Sequence, residues 1–133
     1  MKRAIGLTLA MVGVLVAAAL PAAAASSAKT ISLVSVQVSE TQQGSILTAH
    51  DNDVSGSTTI GHDTLTCSAT TASCTVVFVF GTGNLTAKFA AKGTSGSGTI
   101  TGGTGTYKNA KGSLAWKNLN AKGTRTAVTL HVM

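Results

Sequence analysis

The chain has 133 residues, with ten Lys and Arg against four Asp and Glu, a formal charge of +6, and hydrophobic residues at 44%. A chain of this size holds one domain with a single modest core. Its lysines are scattered singly, without interleaved aromatics, which is the pattern of solvated outward residues and not of a nucleic-acid-binding face.

The first elements are those of export. Met1, Lys2 and Arg3 give a positive end, residues 4–20 an apolar run, and residues 21–25 a small-residue segment before polar Ser26. This is the pattern of a secretory signal peptide cut after Ala25, leaving 26–133 as the single domain and predicting a secreted protein. A retained transmembrane helix would want about 20 apolar residues and a charged stop beyond them. Ser26, Ser27 and Ala28 supply no such stop, so no membrane span is expected after cleavage. Beyond the leader the chain is rich in Thr, Val, Ser and Gly and has no proline, a usage that favours strands and turns.

Eight strands follow in order. Residues 30–40 form the first, with an apolar phase that changes between Leu33 and Val34 and predicts a bulge there. Residues 45–51, 58–67 and 74–80 are the next three, and the fourth is apolar on both faces, as a central or covered strand would be. After the hairpin turn at 81–84, residues 85–92 alternate, with Leu85, Ala87, Phe89 and Ala91 inward. The glycine-rich run 93–98 reads as the bent opening of a sixth strand and not as a linker. That strand continues at 99–101, and residues 113–118 and 124–132 are the seventh and eighth. Long Thr/Val strands without proline would be adhesive at their edges unless the first and last pair. The expectation is therefore an all-β, eight-stranded antiparallel closed barrel, just wide enough inside for side chains or one small ligand.

Cys67 and Cys74 face each other across a short polar loop at two strand ends, and an exported chain permits a bridge between them. They lack further ligands at finger-like spacing, so no metal is expected on them. The densest polar cluster is His50, Asp51, Asn52 and Asp53 with His62 and Asp63, at the ends of a hairpin. A turn centred near Ser55 would put His62 opposite Thr48. Three readings stay open for this cluster: turn chemistry at a solvated strand end, the one that the Asp-Asn-Asp beside Val-Ser-Gly-Ser favours, polar groups at a cavity mouth, or two imidazoles and a carboxylate holding a transition metal. Phe78, Phe89, Tyr107 and Trp116 are the candidate aromatic lining of a cavity, although with Phe80 they number about what a small barrel uses to fill its interior, and filling is the favoured reading. Gly102, Gly103, Gly105 and Gly112 mark a strand-turn-strand corner across which Tyr107 can lie. Neither a P-loop nor a dinucleotide fingerprint is satisfied there.

Residues 100–112, read as I-T-G-G-T-G-x-Y-x-x-A-x-G, resemble the signature of the dirigent and allene oxide cyclase-like barrels, in particular their small secreted bacterial members. The ordered set upstream, with Asp51, Asn52 and Asp53, then Gly61, His62 and Asp63, then Cys67, and Gly83 to Ala87 opening a strand, extends the likeness over nearly the whole chain after residue 43. The resemblance implies the same barrel, often as a homodimer or trimer. It also implies a cavity that holds a small hydrophobic molecule and steers its reaction, as dirigent proteins orient phenoxy radicals and the cyclases guide ring closure of an epoxide. The chain has Gly105 where some dirigent proteins carry an acid, and Lys111 where Arg is common. Three functions are thus in view: a ligand-binding dirigent-like barrel with no cofactor, an isomerase or cyclase using Asp51, His62 or Tyr107, and a filled barrel that acts through its surface.

Overall fold

The computed structural model describes residues 28–133; the leader read at 1–25 lies outside them. The chain forms eight antiparallel strands: β1 (Lys29–Gln43), β2 (Ile46–Ser55), β3 (Thr58–Ser68), β4 (Ser73–Phe80), β5 (Gly83–Ala90), β6 (Ser95–Gly103), β7 (Gly112–Asn118) and β8 (Arg125–Val132). Each pairs with the next, and β1 pairs with β8 from Lys29↔Val132 to Val36↔Arg125, so the sheet closes. Among the described residues the one helical element is a 3-10 turn, Gly105–Tyr107, and no helix is long and apolar enough to cross a membrane.

Alternation fixes which side chains meet inside. Leu33, Val76, Phe78, Leu85, Ala87, Ile100, Leu114 and Leu130 are all buried on the inner face. In β1 the inward set is Leu33, Ser35 and Gln37, while Val34 and Val36 lie half-exposed outside. The bulge predicted between Leu33 and Val34 therefore sits elsewhere: the register slips between Gln37 and Ser39, leaving Val38 at 64% exposure. The apparent phase change came from valines on the outer wall, a position that β-branched residues suit as well as the core. In β4, Val77 and Val79 are likewise half-exposed; the strand is flanked on both edges, and no second layer covers it.

The glycine-rich segment is itself strand from Ser95 onward, and two of its glycines let the neighbouring strands approach closely. Gly98 pairs with Phe89 and Gly96 with Trp116. A Cβ on Gly98 would come 2.7 Å from the Phe89 Cβ, and one on Gly96 would meet the Trp116 indole nitrogen at 3.0 Å. The Trp116 ring fills the space over Gly96, the Lys88 backbone and the Phe89 Cβ that over Gly98, and the Phe89 and Trp116 rings lie with centroids 5.6 Å apart.

The two ends of the barrel differ. At one, the corner after β6 folds Tyr107 inward, where it is 8% exposed and packs 5.9 Å from Phe80. At the other, Cys67 and Cys74, paired directly across β3 and β4, are joined in a disulfide.

Candidate functional site

The interior is filled at the Tyr107 end and hollow at the disulfide end, where a cavity of about 210 Å³ remains. Phe78, Phe89, Leu114, Trp116, Val76 and Val128 give it apolar walls. Its mouth lies among Ala91 and Gly93, which are exposed, and Asn118, Gly123 and Thr124, which are half-exposed. The disulfide forms part of the wall, with Cys74 buried.

The floor is polar, and strand pairing builds it. The β2–β3 turn is the pair Gly56 and Ser57, and one extra residue follows it, since Val54 faces Thr59 but Asp53 faces Gly61. That bulge and the later turn shift the expected register by four residues, so His62 lies opposite Asn52 and not Thr48. Asp51 then stands directly across from Asp63, and Ser35 of β1 across from Asp53. All four point inward and are buried, Asp53 with no exposed surface at all.

Their hydrogen bonds cannot be satisfied by carboxylates alone. Ser35 Oγ is 3.0 Å from Asp51 Oδ2 and 2.9 Å from Asp63 Oδ2, yet a hydroxyl carries one hydrogen. Both Asp53 oxygens are buried without an N–H or hydroxyl donor, and the neighbouring group placed to serve them is the Asp63 carboxyl. Like charges directly opposite in a sheet repel. The arrangement is relieved when the cluster holds protons that one carboxyl donates to the next. Burial pushes Asp63 up to about 8, reinforced by its hydrogen bond to Asp53 and that group's charge. Burial also pushes Asp51 up to about 7, helped by its hydrogen bond to Asp63 and the Asp63 charge and opposed by the Ser35 bond. Asp53 is raised too, by burial first; there the hydrogen bond from Asp63 works the other way. The floor can therefore donate or accept a proton near neutrality.

Of the residues singled out in the sequence, the structure brings Asp51, Asp63, Cys67, Cys74, Phe78, Phe89 and Trp116 together around the cavity. His62 and His50 fall on the even-numbered outer face and are exposed, His50 within 3.3 Å of the Thr64 hydroxyl. Tyr107 is buried beneath the opposite end, with the Lys29 ammonium 5.7 Å from its ring centroid. Among the described residues no three His, Cys, Asp or Glu side chains are arranged to hold a metal ion. Ser35 drew no notice in the sequence, because one serine in a Thr/Ser/Val strand looks like surface. Asp53 and Asp63 were named in the polar cluster with both the turn and the cavity-mouth reading open, and their odd numbering, shared with Asp51, is the signal that favours the second.

No protein-family profile matches the chain, and no curated protein matches it. Solved structures do. A pyocyanin demethylase superposes with a TM-score of 0.66 at 18% identity, over 79% of this chain and all of that one. Two pterocarpan synthase dirigent proteins superpose with TM-scores of 0.54 and 0.55 at 15% identity, over 79% of this chain and 82% and 92% of theirs. The chain has the dirigent-type barrel fold. At these identities the likeness is one of architecture, and it agrees with the resemblance carried by residues 100–112. The corner glycines serve that architecture unequally. A Cβ on Gly103 would lie 2.5 Å from the carbonyl oxygens of Asn84 and Tyr107, and Gly105 adopts φ +62°, whereas a Cβ on Gly102 would meet nothing within 4 Å.

Proposed function

We propose that this dirigent-like barrel is a secreted protein that binds a small, largely apolar molecule in its cavity and holds it in one orientation for reaction. The observation that carries the reading is the cavity itself: aromatic and aliphatic walls, a few convergent polar groups at one end, and an opening to solvent. An apolar cavity of about 150 Å³ suffices for benzene; one of about 210 Å³ suits a mono- or bicyclic body, with substituents reaching the mouth. The structural neighbours are named for transformations of small molecules, which supports the same use of the fold. Export, with a leader over residues 1–25, accords with the disulfide.

A second reading, an isomerase or cyclase, is favoured by the Asp51–Asp63 floor. Carboxyls that titrate near neutral pH are suited to move a proton on and off a bound molecule. The residues for that role are Asp51 and Asp63, with Ser35 holding them; His62 and Tyr107 lie away from the cavity.

Native mass spectrometry of protein recovered from the medium around the producing cells tests the proposal. The expected result is a mature chain beginning near residue 26 that carries one small molecule per barrel. Ligand-free protein under gentle conditions, together with no uptake from extracts of that medium, would contradict it. With a ligand in hand, Asp51→Asn divides the two readings: conversion lost with binding retained indicates acid–base chemistry.

A further inference from the structure

Three of the chain's four acidic residues lie in one buried cluster inside an otherwise basic protein. Charged residues kept for solubility belong outside, and buried ones are ordinarily paired. Among the described residues no Lys, Arg or His lines the cavity. Taking the elements that surround the cluster, β1 presents Ser35 and Gln37, β2 Asp51 and Asp53, β3 Asp63, β4 Val76 and Phe78, β7 Leu114 and Trp116, and β8 Thr126 and Val128. The one basic group felt by Asp51 is His50 on the outer face, and its influence is the smallest of those acting there.

Asp53, which stands behind the cavity-lining pair Asp51 and Asp63, adds to the negative charge that must be met there. It is fully buried, points into the cluster, and has neither oxygen met by an N–H or hydroxyl donor. The proton count around Ser35 says the same from geometry: one hydroxyl hydrogen lies between two carboxyl oxygens at 3.0 and 2.9 Å. Positive charge must come from protons or from an occupant. Phe78, Phe89 and Trp116 line the same cavity, and the face of an aromatic ring attracts a cation.

We infer that the molecule this cavity selects is a small aromatic cation, a nitrogen heterocycle or aryl amine bound in its charged form, seated with its positive nitrogen toward Asp51 and Asp63. The inference rests on the ligand-binding reading above and adds the ligand's charge to it. Anions such as aryl carboxylates are rejected, because the floor repels them and no cationic side chain receives them. Binding of the cation displaces protons from the cluster, so its affinity rises with pH as Asp51 and Asp63 ionise, from about 7 to about 8.

Equilibrium dialysis against three isosteric bicyclic probes tests this: 1-methylquinolinium (cation), 1-methylnaphthalene (neutral) and 1-naphthoate (anion). At about pH 8.5 the cation should bind about tenfold or more tighter than the neutral probe, and the anion weakest. The cation's advantage should vanish near pH 5 and in the Asp51→Asn/Asp63→Asn double variant. Should the neutral probe or the anion bind as well as the cation at pH 8.5, the charge assignment is overturned while the cavity reading stands. Retention of none of the three overturns both. The pH comparison uses the unaltered protein, so the test does not depend on the double variant folding.

Discussion

Ser35, Asp51, Asp53 and Asp63 show how a few residues make an interior chemically distinct. Each sits at an odd-numbered position on adjacent strands, so alternation turns all four to the same side, and pairing sets them opposite or diagonal to one another. The folded state then holds protons that the unfolded chain releases at ordinary carboxyl values. Where the native state binds more protons, stability falls as pH rises. Stability should be full near pH 4 and decline as pH climbs through the values of about 7 and 8 for Asp51 and Asp63. Thermal melts should show a higher Tm near pH 5.5 than near pH 8.5; a Tm that rises over this interval would refute the cluster's protonated state. Asp63→Asn supplies amide donors where a shared proton is needed. It should raise Tm near pH 8.5 by about 5 °C, which for a domain of this size corresponds to about 1 kcal/mol, with little gain at pH 5.5. How much of this was legible is a matter of parity. Asp51 was identified, but His62 was grouped with it through the expected hairpin pairing, although residues 50, 52 and 62 share the opposite face. The inward role of Ser35 depends on a partner strand's register, which no local pattern in β1 encodes.

Among the elements, the barrel was readable because its strands obey a two-residue period between glycine-marked turns, and β5 alternated as expected from Leu85 to Phe89. Less readable was the reason for glycine within strands. Gly96 and Gly98 were read as the bent opening of a strand, but Gly96 leaves the space that the Trp116 ring occupies and Gly98 the space taken by the Lys88 backbone and the Phe89 Cβ, relations set by cross-strand pairing that no local pattern shows. The corner makes a sharper prediction. Gly103→Ala would drive a Cβ into two carbonyl oxygens and should cost about 2 kcal/mol or more, read from denaturant midpoints. Gly102→Ala, with open space around it, should change stability by less than about 0.5 kcal/mol; equal effects at the two sites would contradict the packing described. The disulfide closes a separation of seven residues between paired strands. Cys67→Ser/Cys74→Ser should lower stability by about 2–3 kcal/mol by freeing the unfolded chain, measured against the oxidised protein in urea.

At the scale of the whole molecule, the barrel is divided along its axis. One half is a packed core of Leu85, Ala87, Ile100, Leu130 and Val132, stopped by Tyr107. The other is a chamber whose walls hold apart what they could have filled. Closure removes sheet edges, and the packed half anchors the strands so that the opposite half can stay open at little cost in order. Sequence pattern specified the cylinder, because periodicity and turn signals are local, and it named Asp51, Asp63, Phe78, Phe89 and Trp116, which stand around the chamber. It left open whether the aromatics fill or line the interior, because that depends on ring orientation and on glycines across the sheet. The most direct test is a methyl-detected NMR titration with the tightest of the three bicyclic probes. The account predicts saturable shifts in the methyls of Ala49, Leu65, Val76, Leu114 and Val128, which face the chamber, and none in those of Leu85, Ala87, Ile100, Leu130 and Val132. Shifts confined to outward-facing Val34, Val36 or Val77, or no shifts at all, would contradict it.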